Sequence, residues 1–316
     1  MIKRLILLVA VVGLSTAASA ECASGYRQVP ASICQLISAP PSPIQHVFVV
    51  MFENTNYASV VGNSSLPYFN SLANTYGLAT QYYADTHPSI GNYFMLTTGQ
   101  IITNDDTYHG PTSVDNIVRH LIAAGKTWKE YSENIPNVGY FGNGGVGACC
   151  DPAGNYYYSQ HHNPLSYFSD ARDPSQVNNL VDFTQLATDV ANNALPNYGF
   201  IVPNMCDDGH DCALTTSDTW LQQNIGPIIN NAAVMKTSIF IIMFDESNND
   251  NTNGGGKVYW VVVGSNANVK PNHASTFSFY KHESTARTSL EFLGLPYNMD
   301  AAATAPSMAE FFNVSP

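Results

Sequence analysis

Residues 47–52 read VFVVMF, six apolar side chains without a break. A strand with one wet face alternates apolar and polar positions, so this run predicts a strand covered on both faces. The stretches 78–84, 198–202, 238–244 and 258–263 have the same apolar, β-branched and aromatic character and predict further buried strands. Between them, 66–76, 88–98, 114–124, 182–194, 217–234 and 283–293 carry helical patterns. Strands alternating with helices of this length imply βαβ units, hence an α/β fold on a mostly parallel central sheet with helices on both faces. The segments 100–113, 134–180 and 246–256 are rich in Gly, Asn, Asp and Tyr and read as loops or insertions. No linker interrupts the pattern, so a single domain over 21–316 is expected.

Open parallel sheets bind ligands beyond the carboxyl ends of their strands. The residues that follow each predicted strand are therefore where chemistry is expected. Glu53-Asn54 follows the first, a carboxylate and an amide carbonyl suited to a hard cation. Taken alone, the pair reads equally as a loop acid and a turn. Asp85-Thr86-His87-Pro88-Ser89-Ile90-Gly91-Asn92-Tyr93 follows the second. Pro88 suits the first turn of a helix, which places the Thr86 hydroxyl near free helix N–H groups, a setting that favours phosphate. Thr86 or Ser89 also reads as an ordinary helix cap.

The strand 198–202 leads into Pro203-Asn204-Met205-Cys206-Asp207-Asp208-Gly209-His210-Asp211-Cys212. This is a dense set of ligands and acids, or else a solvated acidic turn. The strand 238–244 runs into Asp245-Glu246, two carboxylates that are costly beside an apolar strand unless exposed or paired with a cation. His161 and His162 stand in a Tyr-rich loop, while His109, His273 and His282 carry weaker signals.

Composition narrows the function. Lys3 and Arg4, the apolar run Leu5–Leu14 and Ala18-Ser19-Ala20 have the layout of a secretory signal peptide over 1–20. A secreted or periplasmic protein is expected, without stable membrane insertion, since no later stretch is long and apolar enough to span. Charged residues make up 11% and the formal charge is −12, which argues against nucleic acid as a partner. Six Cys in an exported chain favour disulfides. Cys206–Cys212 is the expected bridge across the Asp-rich loop and Cys22–Cys34 a plausible second, with Cys149 and Cys150 unassigned.

Together these segments resemble the phosphoesterase family of secreted acid phosphatases and phosphatidylcholine-type phospholipases C. The resemblance runs from His46 to Phe312 through Glu53-Asn54, Thr86-His87-Pro88-Ser89, Asn92-Tyr93, His162-Asn163-Pro164, Pro203-Asn204 to His210-Asp211, Asp218-x-Trp220-Leu221, Phe244-Asp245-Glu246 and Thr288 to Gly294. It is nearest to the acid phosphatase branch that includes phosphatidylinositol 3-phosphate phosphatases. The resemblance implies an alkaline-phosphatase-like fold and a divalent metal ion (Mg, Ca, Mn or Zn) on Glu53, Asn54, Asp245 and Glu246. It also implies Thr86 as nucleophile, His210 as a catalytic acid, and phosphate contacts from His87, His161, His162, Asp207 and Asp211. One departure is Glu246, where related branches carry a second Asp. Thr86 without a following Arg argues against a sulfatase.

The expected activity is metal-dependent hydrolysis of phosphate monoesters through a phospho-threonine, on a small phosphate ester or a phospholipid headgroup. A phospholipase C-type phosphodiesterase of the same family is the nearest alternative. A calcium-stabilised secreted binding protein, with tight metal binding and no turnover, is the alternative from another class.

Overall fold

The computed structural model describes residues 42–143, 157–275 and 278–316, with the short strands β1 (Tyr26–Gln28) and β2 (Cys34–Leu36). The chain divides into two compact units, Met1–Pro41 and Ser42–Pro316. In the first, β1 and β2 pair antiparallel. The expected leader, Cys22, Cys149, Cys150 and the side chain of Cys34 lie outside the described residues. All the strand-end chemistry belongs to the second unit.

There the chain contributes β3 (His46–Phe52), β4 (Gly77–Ala79), β5 (Tyr82–Tyr83), β6 (Trp128–Ser132), β7 (Leu180–Asp182), β8 (Tyr198–Val202), β9 (Ser238–Phe244), β10 (Trp260–Gly264), β11 (His273–Ser275) and β12 (Tyr280–Lys281). Eight of these form one sheet in the order β11-β4-β10-β9-β3-β8-β6-β7, and β5 pairs with β12 apart from it. Strands β9, β3, β8, β6 and β7 run parallel, and β10 is antiparallel to both its neighbours. This is the mostly parallel α/β sheet that the apolar runs imply.

The central strands are buried along nearly their whole length, as their lack of alternation requires. Phe48 shows how they pack. It lies in register with Phe240 on one side and Gly199 on the other, and its ring stacks on Phe240 at 4.7 Å. A Cβ on Gly199 would approach the Phe48 ring to 2.3 Å, so the ring occupies the space that glycine leaves. At the carboxyl end Phe52 and Phe244 are again partners, with ring centroids 5.5 Å apart. Each such buried ring contributes roughly 2–3 kcal/mol.

Four readings of the sequence change. The stretch 78–84 is two strands, because Thr80 and Gln81 turn the chain and send Tyr82–Tyr83 to β12. The helix expected over 217–234 is Leu214–Trp220, a π-turn at Leu221–Ile225, then Gly226–Ile229 and Ala232–Met235. Pro227 has no N–H to donate to the carbonyl four residues earlier, and Gly226 instead bonds to Leu221 C=O. The region 134–180 carries 3₁₀ turns and opens into β7, and Trp128–Ser132 is a strand although Lys129 and Glu130 interrupt its apolar character.

Candidate active site

Strands β3 and β9 end side by side, and the backbone extends their pairing beyond the sheet. Asp245 N–H donates to Phe52 C=O at 2.9 Å, and Thr55 N–H to Glu246 C=O at 2.9 Å. Glu53, Asn54, Asp245 and Glu246 therefore emerge together. Asn54 takes a left-handed backbone (φ 49°), which Asn tolerates better than most residues, and its N–H donates to Asp245 Oδ1 at 2.9 Å. The loop after β8 joins them, since Glu53 N–H donates to Asp208 C=O at 2.9 Å.

Glu53 is fully buried. Its Oε1 accepts the Tyr93 hydroxyl at 2.5 Å, and its Oε2 accepts Ser89 Oγ at 3.1 Å and Asn54 Nδ2 at 3.3 Å. His162, stacked on Tyr93, places Nε2 3.3 Å from Glu53 Oε1 and Nδ1 3.1 Å from Asp208 Oδ2. Burial, aided by His161 and His210, holds His162 well below the usual histidine range. A neutral ring has one N–H; directed at Asp208, it leaves Nε2 a bare lone pair toward Glu53, and Nε2 has no hydrogen-bond partner.

Four carboxyl groups, on Glu53, Asp208, Asp245 and Glu246, are buried here, and among the described residues none pairs with Lys or Arg. Burial pushes Glu53 and Asp208 well above the ordinary carboxyl range and raises Asp245. Glu246 rises to about 9, chiefly through burial and then through the charge of Asp245. Asp245 Oδ2 is buried without a hydrogen-bond partner. Such a group of oxygens is costly unless a cation meets it, and its donors are those that hard divalent ions prefer. The donor chemistry of Glu53, Asn54, Asp245 and Glu246 thus fits a divalent ion. Among the described residues no three His, Cys, Asp or Glu side chains converge on one point in a way that could hold an ion.

Thr86 lies between β5 and the helix Ile90–Thr98. The buried amide of Asn92 fixes it. Asn92 Oδ1 accepts the N–H groups of Asp85 (2.9 Å) and Thr86 (3.1 Å), and Nδ2 donates to Thr86 C=O (2.9 Å) and Glu246 Oε2 (3.1 Å). Thr86 Oγ1 donates to His87 C=O at 3.1 Å and accepts from Asn104 Nδ2 at 2.9 Å. His87 Nδ1 is 3.2 Å from Glu246 Oε1, and its Nε2 is 3.2 Å from Asp250 C=O. One expectation narrows: the helix offers fewer free N–H groups to an anion, because Ile90 N–H already donates to Asp106 Oδ1 at 3.2 Å.

The Cys206–Cys212 disulfide is present and closes the Asp-rich loop. Within it, His210 N–H donates to Asp208 Oδ1 at 2.8 Å, and His210 Nδ1 lies 2.6 Å from Asp211 Oδ1. The exposed His210 ring is 5.7 Å from that of His162, and His161 sits edge-on to His162 at 4.3 Å. Asp208 is the loop carboxylate that reaches the cluster. Asp207 instead accepts Asn204 Nδ2 at 2.9 Å, and Asp211 engages His210. Sequence reasoning does not single out Asn104 or Asp106, which lie in an exposed loop, and it leaves His282 weak. The His282 ring is fully buried, with Nε2 2.5 Å from Asp245 C=O and Nδ1 3.0 Å from the Tyr82 hydroxyl. Its position opening a helix is the sole signal for it.

Known proteins resemble the chain in sequence and in fold. A probable acid phosphatase of Kluyveromyces lactis is 31% identical over 240 residues, covering 75% of this chain and 55% of that protein. The phosphatidylinositol-3-phosphatase of Mycobacterium tuberculosis is 28% identical, covering 84% of this chain and 82% of that protein. The chain spans 55%, 58% and 63% of the lengths of three fungal acid phosphatases or probable acid phosphatases that it matches. In fold it is similar to a protein of the alkaline phosphatase superfamily from Vibrio parahaemolyticus, with a TM-score of 0.54 at 13% identity over 85% of this chain and 73% of that one. The model of the phosphoesterase family matches residues 63–252, more than half of the 316, and the chain belongs to that family.

Proposed function

We propose that the protein is an exported, metal-dependent acid phosphatase that hydrolyses phosphate monoesters through a phospho-threonine at Thr86. The observation that carries this reading is the tie between Thr86 and the buried carboxyl cluster: one amide, that of Asn92, bonds both Thr86 C=O and Glu246 Oε2. The acid phosphatases among its relatives support the activity. The basic-then-apolar start of the chain supports export. Among the described residues no helix is long and apolar enough to cross a membrane. The acid phosphatase and phosphatidylinositol-3-phosphatase relatives support a small phosphate ester or a lipid headgroup as substrate.

Glu53, Asn54, Asp245 and Glu246 would hold the divalent ion, which when bound supplies positive charge beside the phosphate and the attacking oxygen. The chain's own groups do the rest. Asn92 fixes the Thr86 backbone, and Glu246 and Asp250 C=O hold the two ring nitrogens of His87 beside it, so a phosphate contact from His87 requires one of them to be released. Thr86 Oγ forms a bond to phosphorus as the ester P–O bond breaks, and its hydroxyl proton passes to solvent. His210 in its imidazolium form, oriented by Asp211, protonates the departing alcohol. Water then forms a new bond to phosphorus, the Oγ–P bond breaks, and Thr86 regains a proton. His161 and His162 back this pocket from the side of Glu53.

The test compares Thr86→Ala and Thr86→Ser on nitrophenyl phosphate, with phosphatidylcholine as a diester control. The alanine variant is expected to lose roughly four orders of magnitude in turnover, and the serine variant to keep part of it. Near-normal turnover by folded Thr86→Ala removes Thr86 from this role.

A further inference from the structure

Two groups meet the Thr86 hydroxyl, and one of them donates to it. Asn104 Nδ2 lies 2.9 Å from Thr86 Oγ1, while the hydroxyl's own proton is directed to His87 C=O at 3.1 Å. Asn104 is exposed, on the loop after the helix Ile90–Thr98. Its amide is nevertheless closely seated. A Cβ on Gly91 would come within 2.2 Å of Asn104 Oδ1 and 2.5 Å of Thr86 Cγ2, so both side chains pack over that glycine. Two residues further on, Asp106 Oδ1 accepts Ile90 N–H at 3.2 Å and fastens the same loop to the helix start.

We propose that Asn104 is a catalytic residue: its amide donates to the Thr86 oxygen as negative charge gathers there, and then to the transferred phosphoryl group. The inference rests on Thr86 being the attacking group. A hydroxyl is a modest acceptor, whereas an oxygen losing its proton is a strong one. Hydrogen bonds to ionised acceptors are roughly twice as strong as neutral ones. The same N–H therefore stabilises the attacking form more than the resting form, and that difference is what raises a rate. Asn104 exchanges no proton and forms no covalent bond. The bond made is Oγ–P, the bond broken is the ester P–O, and the hydroxyl proton leaves to solvent. Once Oγ has become an ester oxygen, the non-bridging oxygens on the attached phosphorus lie in reach of the same amide.

The experiment measures kcat and KM of the full chain on nitrophenyl phosphate for the wild type, Asn104→Ala, Asn104→Asp and Thr86→Ala, with thermal unfolding as a check on folding. Asn104→Ala is expected to lower kcat by roughly 10²–10³-fold, the usual loss for one donor to a developing anion, with its unfolding midpoint unchanged. Asn104→Asp, nearly isosteric, is expected to be slower still above the ordinary Asp range, because a carboxylate faces the same oxygen. Its deficit should narrow as acid converts it to a donor. If Thr86→Ala is inactive while both Asn104 variants stay within about twofold of wild type, the role of Asn104 is wrong and that of Thr86 stands. If Thr86→Ala turns over normally, the underlying reading fails and takes this one with it. Should Asn104→Ala unfold, the pH profile of the isosteric Asp variant decides: a deficit that does not change with pH contradicts the proposal.

Discussion

Thr86 and Glu246 come from opposite halves of the chain and hang from one amide, that of Asn92, at 2.9 and 3.1 Å. Asn92→Asp keeps the acceptor for the N–H groups of Asp85 and Thr86 but removes both donors and sets a carboxylate against Glu246. Each buried group left unpaired costs about 1–3 kcal/mol. The variant should fold with a lowered unfolding midpoint and lose about two orders of magnitude in kcat. Steady-state kinetics beside thermal melts measure both, and unchanged kcat would separate Thr86 from the carboxyl cluster.

Stripping divalent ions should abolish turnover and also lower the unfolding midpoint, because an ion that binds only the folded state stabilises it by about 2.7 kcal/mol at a hundredfold excess over Kd. Mg²⁺, Mn²⁺, Ca²⁺ and Zn²⁺ should be compared for recovery of both properties. Asp245→Asn, which weakens the orphaned Oδ2 as a ligand, should suppress the ion-induced rise in midpoint. Full activity after exhaustive chelation, with ion content checked by elemental analysis, contradicts the assignment.

Far from these carboxyls in sequence, Glu130 in β6 makes a separate claim about stability. It is fully buried, its Oε1 accepts Leu165 N–H at 2.9 Å, and its Oε2 has no partner. Burial pushes its carboxyl up to about 8. An unfolded Glu releases its proton near pH 4.3, so the folded state holds a proton that the unfolded state has already lost. The stability this confers is complete below that value and drains as pH climbs toward 8. Glu130→Gln keeps the acceptor and removes the titration. Unfolding free energies from urea titrations between pH 5 and 8 should fall for the wild type relative to the variant, by at most about 1.4 kcal/mol per pH unit. Parallel curves would mean that Glu130 does not titrate in this way.

His210 acts at the leaving group in this account, so its loss should depend on what leaves. His210→Gln should slow hydrolysis of alkyl phosphates far more than that of nitrophenyl phosphate, whose leaving oxygen needs little protonation. Equal losses on both substrates would place His210 elsewhere in the reaction.

The core of the fold is legible in the sequence because burial on both faces leaves a simple mark. VFVVMF and the stretch 238–244 read as buried strands, and so they are. Their ends locate the carboxyl cluster, since in a parallel sheet the strand tips point the same way. Trp128–Ser132 is hidden because it buries Glu130, a residue that composition assigns to the surface. The helix over 217–234 breaks at Gly226-Pro227, where a missing N–H outweighs the apolar periodicity. Asn104 and His282 are illegible for another reason. Each is placed by hydrogen bonds to residues distant in sequence, and no local pattern encodes that. Within the Asp-rich loop the family resemblance points to Asp207 and Asp211 and passes over Asp208; the direction of the chain after β8, with Glu53 N–H on Asp208 C=O, puts Asp208 in the cluster.

The phospho-threonine is tested by quenching turnover in acid within milliseconds and mapping the phosphorylated peptides by mass spectrometry. A phosphoryl group is expected on Thr86 during steady-state hydrolysis, absent from Thr86→Ala and more abundant in wild-type protein when substrates with good leaving groups speed the first step. A phosphoryl group found on another residue, or none at any quench time while product accumulates, contradicts it.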